Sequence, residues 1–409
     1  MYLAQSFGMA SVAAATSFTA SVLIVKSKHL HGKFSLDSDL DGIQKFHTTA
    51  VPRIGGIAVV TGIFLTLLVC IIMDSRLAQK FYAWETFLLT VAGMPAFLAG
   101  TIEDLTKKVS VKARLIATFI SAVLASYLLQ STLNRVDVWG IDYLLAFLPF
   151  AIMFTAFAVA GVTNAINIID GFHGVAGGTI IIILGAFAFL GWQAGDRFIV
   201  ELALLGMCAA LGFFLVNYPT GRIFMGDGGA YFLGFWTSEV AILLLMRNPH
   251  INAWQILAIC AYPVIEVLFS IYRRRIIRKS SPGDPDRLHL HTLIYRRIAC
   301  QILKRNDDMP WIRNAAVATI VSKWISTMAV LAIFIGDTLS GAIALFLFQV
   351  WLYVVIYTRL VRRHWYLYPE LGLMLAKKTH EKHTSELNAP PDIANMCVTE
   401  KNHAGQSNI

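Results

Sequence analysis

The chain reads as all-α: a polytopic membrane protein of about 10–11 transmembrane helices, with its N-terminus outside and its polar chemistry on the cytoplasmic face. Only 14% of its 409 residues are charged and 56% are hydrophobic, whereas a soluble domain carries roughly 25% charged residues. Crossing a bilayer as a helix takes about 20 mostly apolar residues. Eleven stretches qualify, beginning near residues 4, 54, 85, 114, 141, 174, 198, 228, 252, 315 and 339. Lys and Arg then alternate between loops. With the first span starting outside, inward loops hold Lys26, Lys28, Lys33, Lys45 and Arg53, then Lys107, Lys108, Lys112 and Arg114, then Arg222, then the basic run from Arg273 to Arg313. Outward loops hold only Arg76, Lys80, Arg135, Arg197 and Arg247, so the positive-inside rule sets the orientation. The net charge of +9 is mostly this topological signal and does not mark a nucleic-acid partner.

Taken in order, the elements follow from their ends. Met1 to Val25 has no basic residue before it and Lys26 and Lys28 after it, the reverse of a secretory signal, and is read as an uncleaved span. The third stretch ends at Glu103-Asp104 and a basic run. The fifth ends in Asn164-Ala-Ile-Asn167-Ile-Ile-Asp170-Gly171, Phe224-Met-Gly-Asp227 precedes the eighth, and an arginine-rich loop bearing His289-Leu-His291 follows the ninth. All four polar clusters thus fall on the inward side. A transmembrane domain over 1–358 and a cytoplasmic tail over 359–409, disordered in its distal part, complete the plan. Cys70, Cys208, Cys260, Cys300 and Cys397 are widely spaced and read as small hydrophobes, not as a disulfide or metal framework.

Ionisable groups in membrane segments are costly and mark function by default. Glu103 and Asp104 suit a magnesium ion, which takes one or two carboxylates with substrate phosphates and water, or one of them could remove a proton; equally, Glu103 could pair with Lys107 at the helix end. Asn164, Asn167 and Asp170 recur every third residue and share one helix face, followed by Gly171, Gly174, Gly177 and Gly178, which permit a close turn. Interhelical hydrogen bonding would use the same pattern. Asp227 lies among glycines, as a helix cap or as a metal ligand. Phe224 could stack on a base or anchor at the interface. Asp284-Pro285 reads as a helix start, and a helix N-terminus among arginines is an anion site, which Arg287, His289 and His291 would complete.

These motifs, with Asp41-Gly-Ile-Gln-Lys45-Phe-His47 and Val51-Pro-Arg-Ile-Gly55-Gly56, resemble in order those of the polyprenyl-phosphate N-acetylhexosamine-1-phosphate transferases, over roughly residues 37 to 300. The resemblance implies a multi-pass protein of the bacterial cytoplasmic (inner) membrane. It implies transfer of a sugar-1-phosphate from a UDP-sugar to undecaprenyl phosphate, with release of UMP, to start a lipid-linked glycan. By motif, Asp227, Asp104 and Glu103 would hold Mg2+, with Mn2+ an alternative. Asp104 would orient or deprotonate the lipid phosphate, and Asn164, Asn167, Asp170 and Phe224 would face the nucleotide. His289, His291, Arg287 and Arg275 would contact phosphate or sugar, with Lys45, His47 and Lys107 as further phosphate ligands. A homodimer is compatible with this reading.

The chain departs from that pattern where Glu103 replaces the first Asp of an Asp-Asp pair and where His173 stands in place of a second Asp three positions after Asp170. The His-Leu-His-Thr motif also lacks both the third histidine common in the N-acetylglucosamine enzymes and the His-rich form of the muramoyl-pentapeptide enzyme, which disfavours the latter's substrate. Two other classes predict different things. A secondary transporter of an anionic solute would place charge near the bilayer midplane, and an inactive scaffold would have lost Asp104, Asp170 and Asp227, which are present.

Overall fold

The computed structural model describes residues 2–37, 50–74, 82–277, 279, 286, 288–303, 309 and 311–362. It divides into two compact units, Met1–Val355 and Ile356–Ile409, the second described only over residues 356–362. Lys45, His47, Arg287 and most of the predicted tail lie outside the described residues.

Among the described residues ten helices are long and apolar enough to cross a membrane: α1 (Tyr2–Lys26), α3 (Gly55–Asp74), α4 (Ala83–Thr106), α5 (Val111–Leu129), α7 (Leu148–Ile169), α8 (Val175–Gln193), α9 (Arg197–Asn217), α10 (Gly226–Arg247), α15 (Ile312–Ile335) and α16 (Leu339–Val361). α11 (Ala253–Ile259) and α12 (Ala261–Tyr272, continued by a π turn over Arg273–Ile277) are bent by 81° at their junction, the geometry of a broken span or a re-entrant loop, and count as an eleventh span only if the pair crosses as one. The break falls at Cys260, and Pro263 in the first turn of α12 has no N–H to continue the ladder. The sequence predicts one continuous ninth span, so the bend is a correction. A second correction concerns the fifth span. Residues 141–145 form a separate short helix, α6 (Ile141–Leu145), and the span starts at Leu148, where Pro149 suits the first turn.

α10 is the hub. Its span is 89% buried, against 22% for those of α1 and α16, and α3, α4, α7, α8 and α9 all pack on it. Outer spans instead turn large apolar side chains outward, among them Phe64, Ile71, Phe157, Phe334 and Trp351, as a lipid-facing surface requires. The remaining elements are small. α2 (Lys28–Ser35) follows α1, and β1 (Leu36–Asp37) pairs antiparallel with β2 (Val51–Pro52). α13 (Leu290–Ile294), a π turn over Tyr295–Ala299 and α14 (Cys300–Ile302) follow the arginine-rich segment.

Glycines set how closely the helices meet at one end of the bundle. Gly56 at the start of α3 touches the backbone of Gly228 and Gly229, while Gly100 on α4 lies against Asp227 and Gly228, so a Cβ at either position would collide with the start of α10. Small residues allow this approach between membrane helices. It brings the end of α4 and the beginnings of α3 and α10 into one place.

Candidate active site

Asp104, in the last turn of α4, is buried and accepts two backbone hydrogen bonds, from Asp227 N–H to Oδ1 and from Gly228 N–H to Oδ2, each at 2.9 Å. It therefore caps α10 from a different helix. Helix N-termini leave N–H groups unsatisfied and favour negative charge, and the residue at the cap position, Met225, supplies no side-chain bond. Asp227 is not itself the cap. It sits inside the first turn and projects its carboxylate into the junction of helices.

Three side chains define the setting of Asp227. Asn167 on α7 donates its Nδ2 to Oδ1 at 3.1 Å, and Arg53 approaches the same oxygen at 3.3 Å. Arg114, in the first turn of α5, pairs with Oδ2 and places its guanidinium 5.7 Å from the centre of the Tyr231 ring. Arg53 also lies 3.7 Å from Asp104. Its backbone is fixed by a hydrogen bond from its N–H to Ser35, while Phe224 N–H binds Pro52 and Gly55 and Gly56 N–H bind Phe224 and Met225. Gly226 has φ +73 and abuts Arg53 and Asp104, so a Cβ there has neither the conformation nor the space.

The Asn–Asn–Asp face predicted on the fifth span is turned toward α10. Asn167 reaches Asp227, and Asn164 accepts from Tyr231 Oη at 3.5 Å. Asp170 ends α7. Part of the residue's surface is open, yet burial of its carboxyl pushes the pKa up to about 7, with Arg53 opposing. The glycine turn that follows is anchored where Gly174, φ +77, donates its N–H to Asn217 at 2.7 Å.

His289 and His291 stack with ring centres 5.3 Å apart, and His291 meets Phe172 edge-on at 5.7 Å and lies against Gly171. The histidine motif thus adjoins the turn that carries Asp170. Burial lowers the His291 pKa to about 4, so the ring is neutral near pH 7. Burial would raise the Asp286 carboxyl, but its pairing with Arg273 outweighs this and holds it down to about 2. Asp284-Pro285, expected to start a helix, lies outside the described residues. Asp286 and Leu288 are non-helical and α13 begins at Leu290, where buried Glu266 of α12 accepts the first N–H at 3.2 Å.

Other predicted residues are placed elsewhere. Glu103 is half-buried and accepts the Val109 N–H at 2.6 Å, bracing the turn between α4 and α5. Lys107 ends α4 in the left-handed conformation, within electrostatic reach of Asp104. Arg275 is exposed on the π turn, whereas Arg273 and Arg274 are buried. Phe224 stacks on His173, with ring centres 5.6 Å apart. Arg53, Arg114 and Glu266 belong to the constellation although the sequence reading assigned them no role. Arg53 stood within a quoted motif and Arg114 at the very start of an apolar stretch, where each reads in sequence as positive-inside charge.

Buried carboxylates braced by arginines and a helix N-terminus, at one end of a membrane bundle, form a site suited to phosphate esters and a hard cation. The glycosyl transferase family 4 model matches residues 86–245. The chain is 30% identical over 269 residues to the undecaprenyl-phosphate alpha-N-acetylglucosaminyl 1-phosphate transferase of Yersinia pestis, covering 63% of this chain and 69% of that protein. It is 28% identical over 255 residues to the probable undecaprenyl-phosphate N-acetylglucosaminyl 1-phosphate transferase of Bacillus subtilis, covering 61% of this chain and 66% of that one. The Escherichia coli K12 protein named as that of Yersinia matches at 28% over 269 residues, with 63% of this chain and 69% of its own length covered. The chain belongs to glycosyl transferase family 4.

Proposed function

We propose that the protein transfers an N-acetylhexosamine-1-phosphate from a UDP-sugar to undecaprenyl phosphate, releasing UMP, at the cytoplasmic face of a bacterial inner membrane, and so starts a lipid-linked cell-surface glycan. The relatives' names supply the acceptor and the sugar phosphate. The observation that carries the reading is Asp227 held between Arg53, Arg114 and Asn167 at a helix start capped by Asp104. An oxygen of the lipid phosphate attacks the sugar-side phosphorus, a P–O bond forms, and the P–O bond to UMP breaks. Both reactants are anionic, so charge neutralisation and positioning supply most of the catalysis.

Arg53 and Arg114 can exchange their contacts with Asp227 for phosphate oxygens, bidentate recognition being what guanidinium groups do well. Asn164, Asn167 and Asp170 face the nucleotide side, and neutral His291 offers a hydrogen bond without repelling the arginines. Asp104, with both oxygens engaged by α10, presents Asp227 and does not itself attack. Among the described residues no three His, Cys, Asp or Glu side chains converge as a metal cage. The donor set still fits magnesium, which completes its shell with substrate phosphate and water. Asp227, with Asp104 beside it, would hold the ion, which when bound offsets charge on the diphosphate and the departing UMP.

The lipid tail has a place to go. A cavity of about 340 Å³, lined by Phe154, Val162, Ile242, Leu245, Trp254 and Leu257, opens between α7, α10 and α11. Ile242 is about 22 Å along α10 from Asp227, at 1.5 Å per residue. An isoprenoid chain anchored there by its phosphate can reach it.

The test is UMP release from a panel of UDP-sugars by purified protein with undecaprenyl phosphate, with and without Mg2+, beside Asp227→Asn. Metal-dependent release from one donor, lost in the variant, supports the assignment and names the sugar. Release from none, by folded protein with lipid present, overturns it.

A further inference from the structure

Glu266 sits on α12 with its carboxylate sealed from solvent. Such a group at bilayer depth persists only when donors surround it, and here they come from two other segments of the chain. His289 brings Nδ1 to 2.9 Å from Oε1, Leu290 shares its backbone N–H between both oxygens at 3.2 Å, and Tyr353 on α16 donates to Oε2 at 2.9 Å. Because a carboxylate only accepts, the proton between it and His289 sits on Nδ1. The other ring nitrogen, Nε2, then faces away from Glu266, with Asp286 3.7 Å from it. The Leu290 N–H is the first of α13, so the same carboxylate sets where that helix begins. One residue on, that start seats the His291 ring nearly parallel to His289 and against Gly171.

We propose that Glu266 is a positioning residue for the transfer reaction. By accepting from His289 Nδ1 and from the α13 backbone, it fixes the His289 tautomer and holds His289 against His291, whose ring lies against the turn that carries Asp170. The consequence for turnover rests on the transferase reading given above, whereas the tautomer rests on the geometry alone. Glu266 touches no reacting atom and acts through His289. Second-sphere carboxylates of this kind commonly set which imidazole nitrogen is available.

The experiment uses full-length protein in nanodiscs, with ¹⁵N-labelled histidine, as wild type, Glu266→Gln, His289→Asn and the double variant. The histidine signal lost in His289→Asn should be protonated at Nδ1 in the wild type, and Glu266→Gln should remove its strongly hydrogen-bonded proton. In UMP-release assays Glu266→Gln should lower kcat by about tenfold or more while KM for the sugar nucleotide moves by less than about threefold. In the His289→Asn background the same change should cost less than about threefold, because residues acting as one unit are non-additive.

A wild-type His289 protonated at Nε2, or a signal indifferent to Glu266→Gln, overturns the proposal even if that variant is inactive. So do losses that multiply in the double variant. If Glu266→Gln does not fold, Glu266→Asp takes its place, since it keeps the charge but shortens the reach to Nδ1 and should show the same kcat-weighted loss. Absence of UMP release by the wild type overturns the transferase reading and with it the claim on turnover, while the nitrogen spectrum still decides the hydrogen bond.

Discussion

Asp227 shares its two oxygens among Asn167, Arg53 and Arg114, and the arginine on α5 is the least replaceable of the three. Its guanidinium holds Oδ2 and covers the Tyr231 ring at once, which an ammonium cannot do. Arg114→Met should leave a buried carboxylate short of a partner and reduce UMP release by about a hundredfold or more, with Arg114→Lys recovering about a tenth of wild-type activity. Equal activities for Met and Lys would remove Arg114 from the site. Neither arginine was legible as a site residue, because in sequence both count as positive-inside charge. Only the fold shows that they point inward at carboxylates. His291 gives a second test. Its pKa falls from 6.5 to about 4 by burial. Between those values the unfolded chain binds the proton and the folded one does not, so the neutral ring's contribution to stability is complete above about pH 6.5 and declines as pH falls toward 4. Melting temperatures in detergent should therefore drop from pH 7 to pH 5 less steeply for His291→Phe than for the wild type.

The start of α10 is the element on which the geometry of the site depends. Asp104 satisfies the N–H groups of Asp227 and Gly228, and Gly226 supplies the positive φ that lets α10 start against Arg53. Asp104→Asn keeps one acceptor but aims an NH2 group at a backbone donor. It should cost about 1–3 kcal/mol, read as a lower thermal midpoint alongside lost activity. Loss of activity with an unchanged midpoint would instead assign Asp104 a direct chemical role. Much of this element was legible: the glycines around Asp227 and the apolar run after them announced a helix start. What could not be read was the source of the cap, 123 residues earlier in the chain. The bend at Cys260 was hidden for a related reason. Proline is tolerated within membrane helices when neighbours satisfy the backbone, so Pro263 alone does not distinguish a straight span from a broken one. The start of α13 at Leu290 was hidden likewise, because its acceptor, Glu266, comes from another helix and not from a local cap.

At the scale of the whole molecule, helix direction and charge make one combined statement. α4 and α7 end at the site while α3, α5, α8 and α10 begin there, so successive spans deliver their polar ends to a single side of the bundle. The basic residues Lys26, Lys28, Lys33, Lys107, Lys108 and Lys112 lie at that same side by the alternation of spans, and the turn at Asp337 and Thr338 between α15 and α16 lies at the other. By the positive-inside rule that side is expected to face the cytoplasm, as the proposed function requires. For the proposed reaction that side would carry chemical weight: a sugar nucleotide made in the cytoplasm could enter only from there, and an anionic donor would be drawn to the basic face within about a Debye length, some 8 Å at physiological salt. In a variant cleared of its native cysteines, Lys108→Cys and Thr338→Cys each place a thiol at an exposed position. In intact spheroplasts a membrane-impermeant maleimide should modify Thr338→Cys and spare Lys108→Cys, and permeabilisation should expose both. The reverse pattern would put the carboxylate site outside, away from cytoplasmic sugar nucleotides, and would sink the proposed donor even if the arginine and aspartate variants behaved as expected.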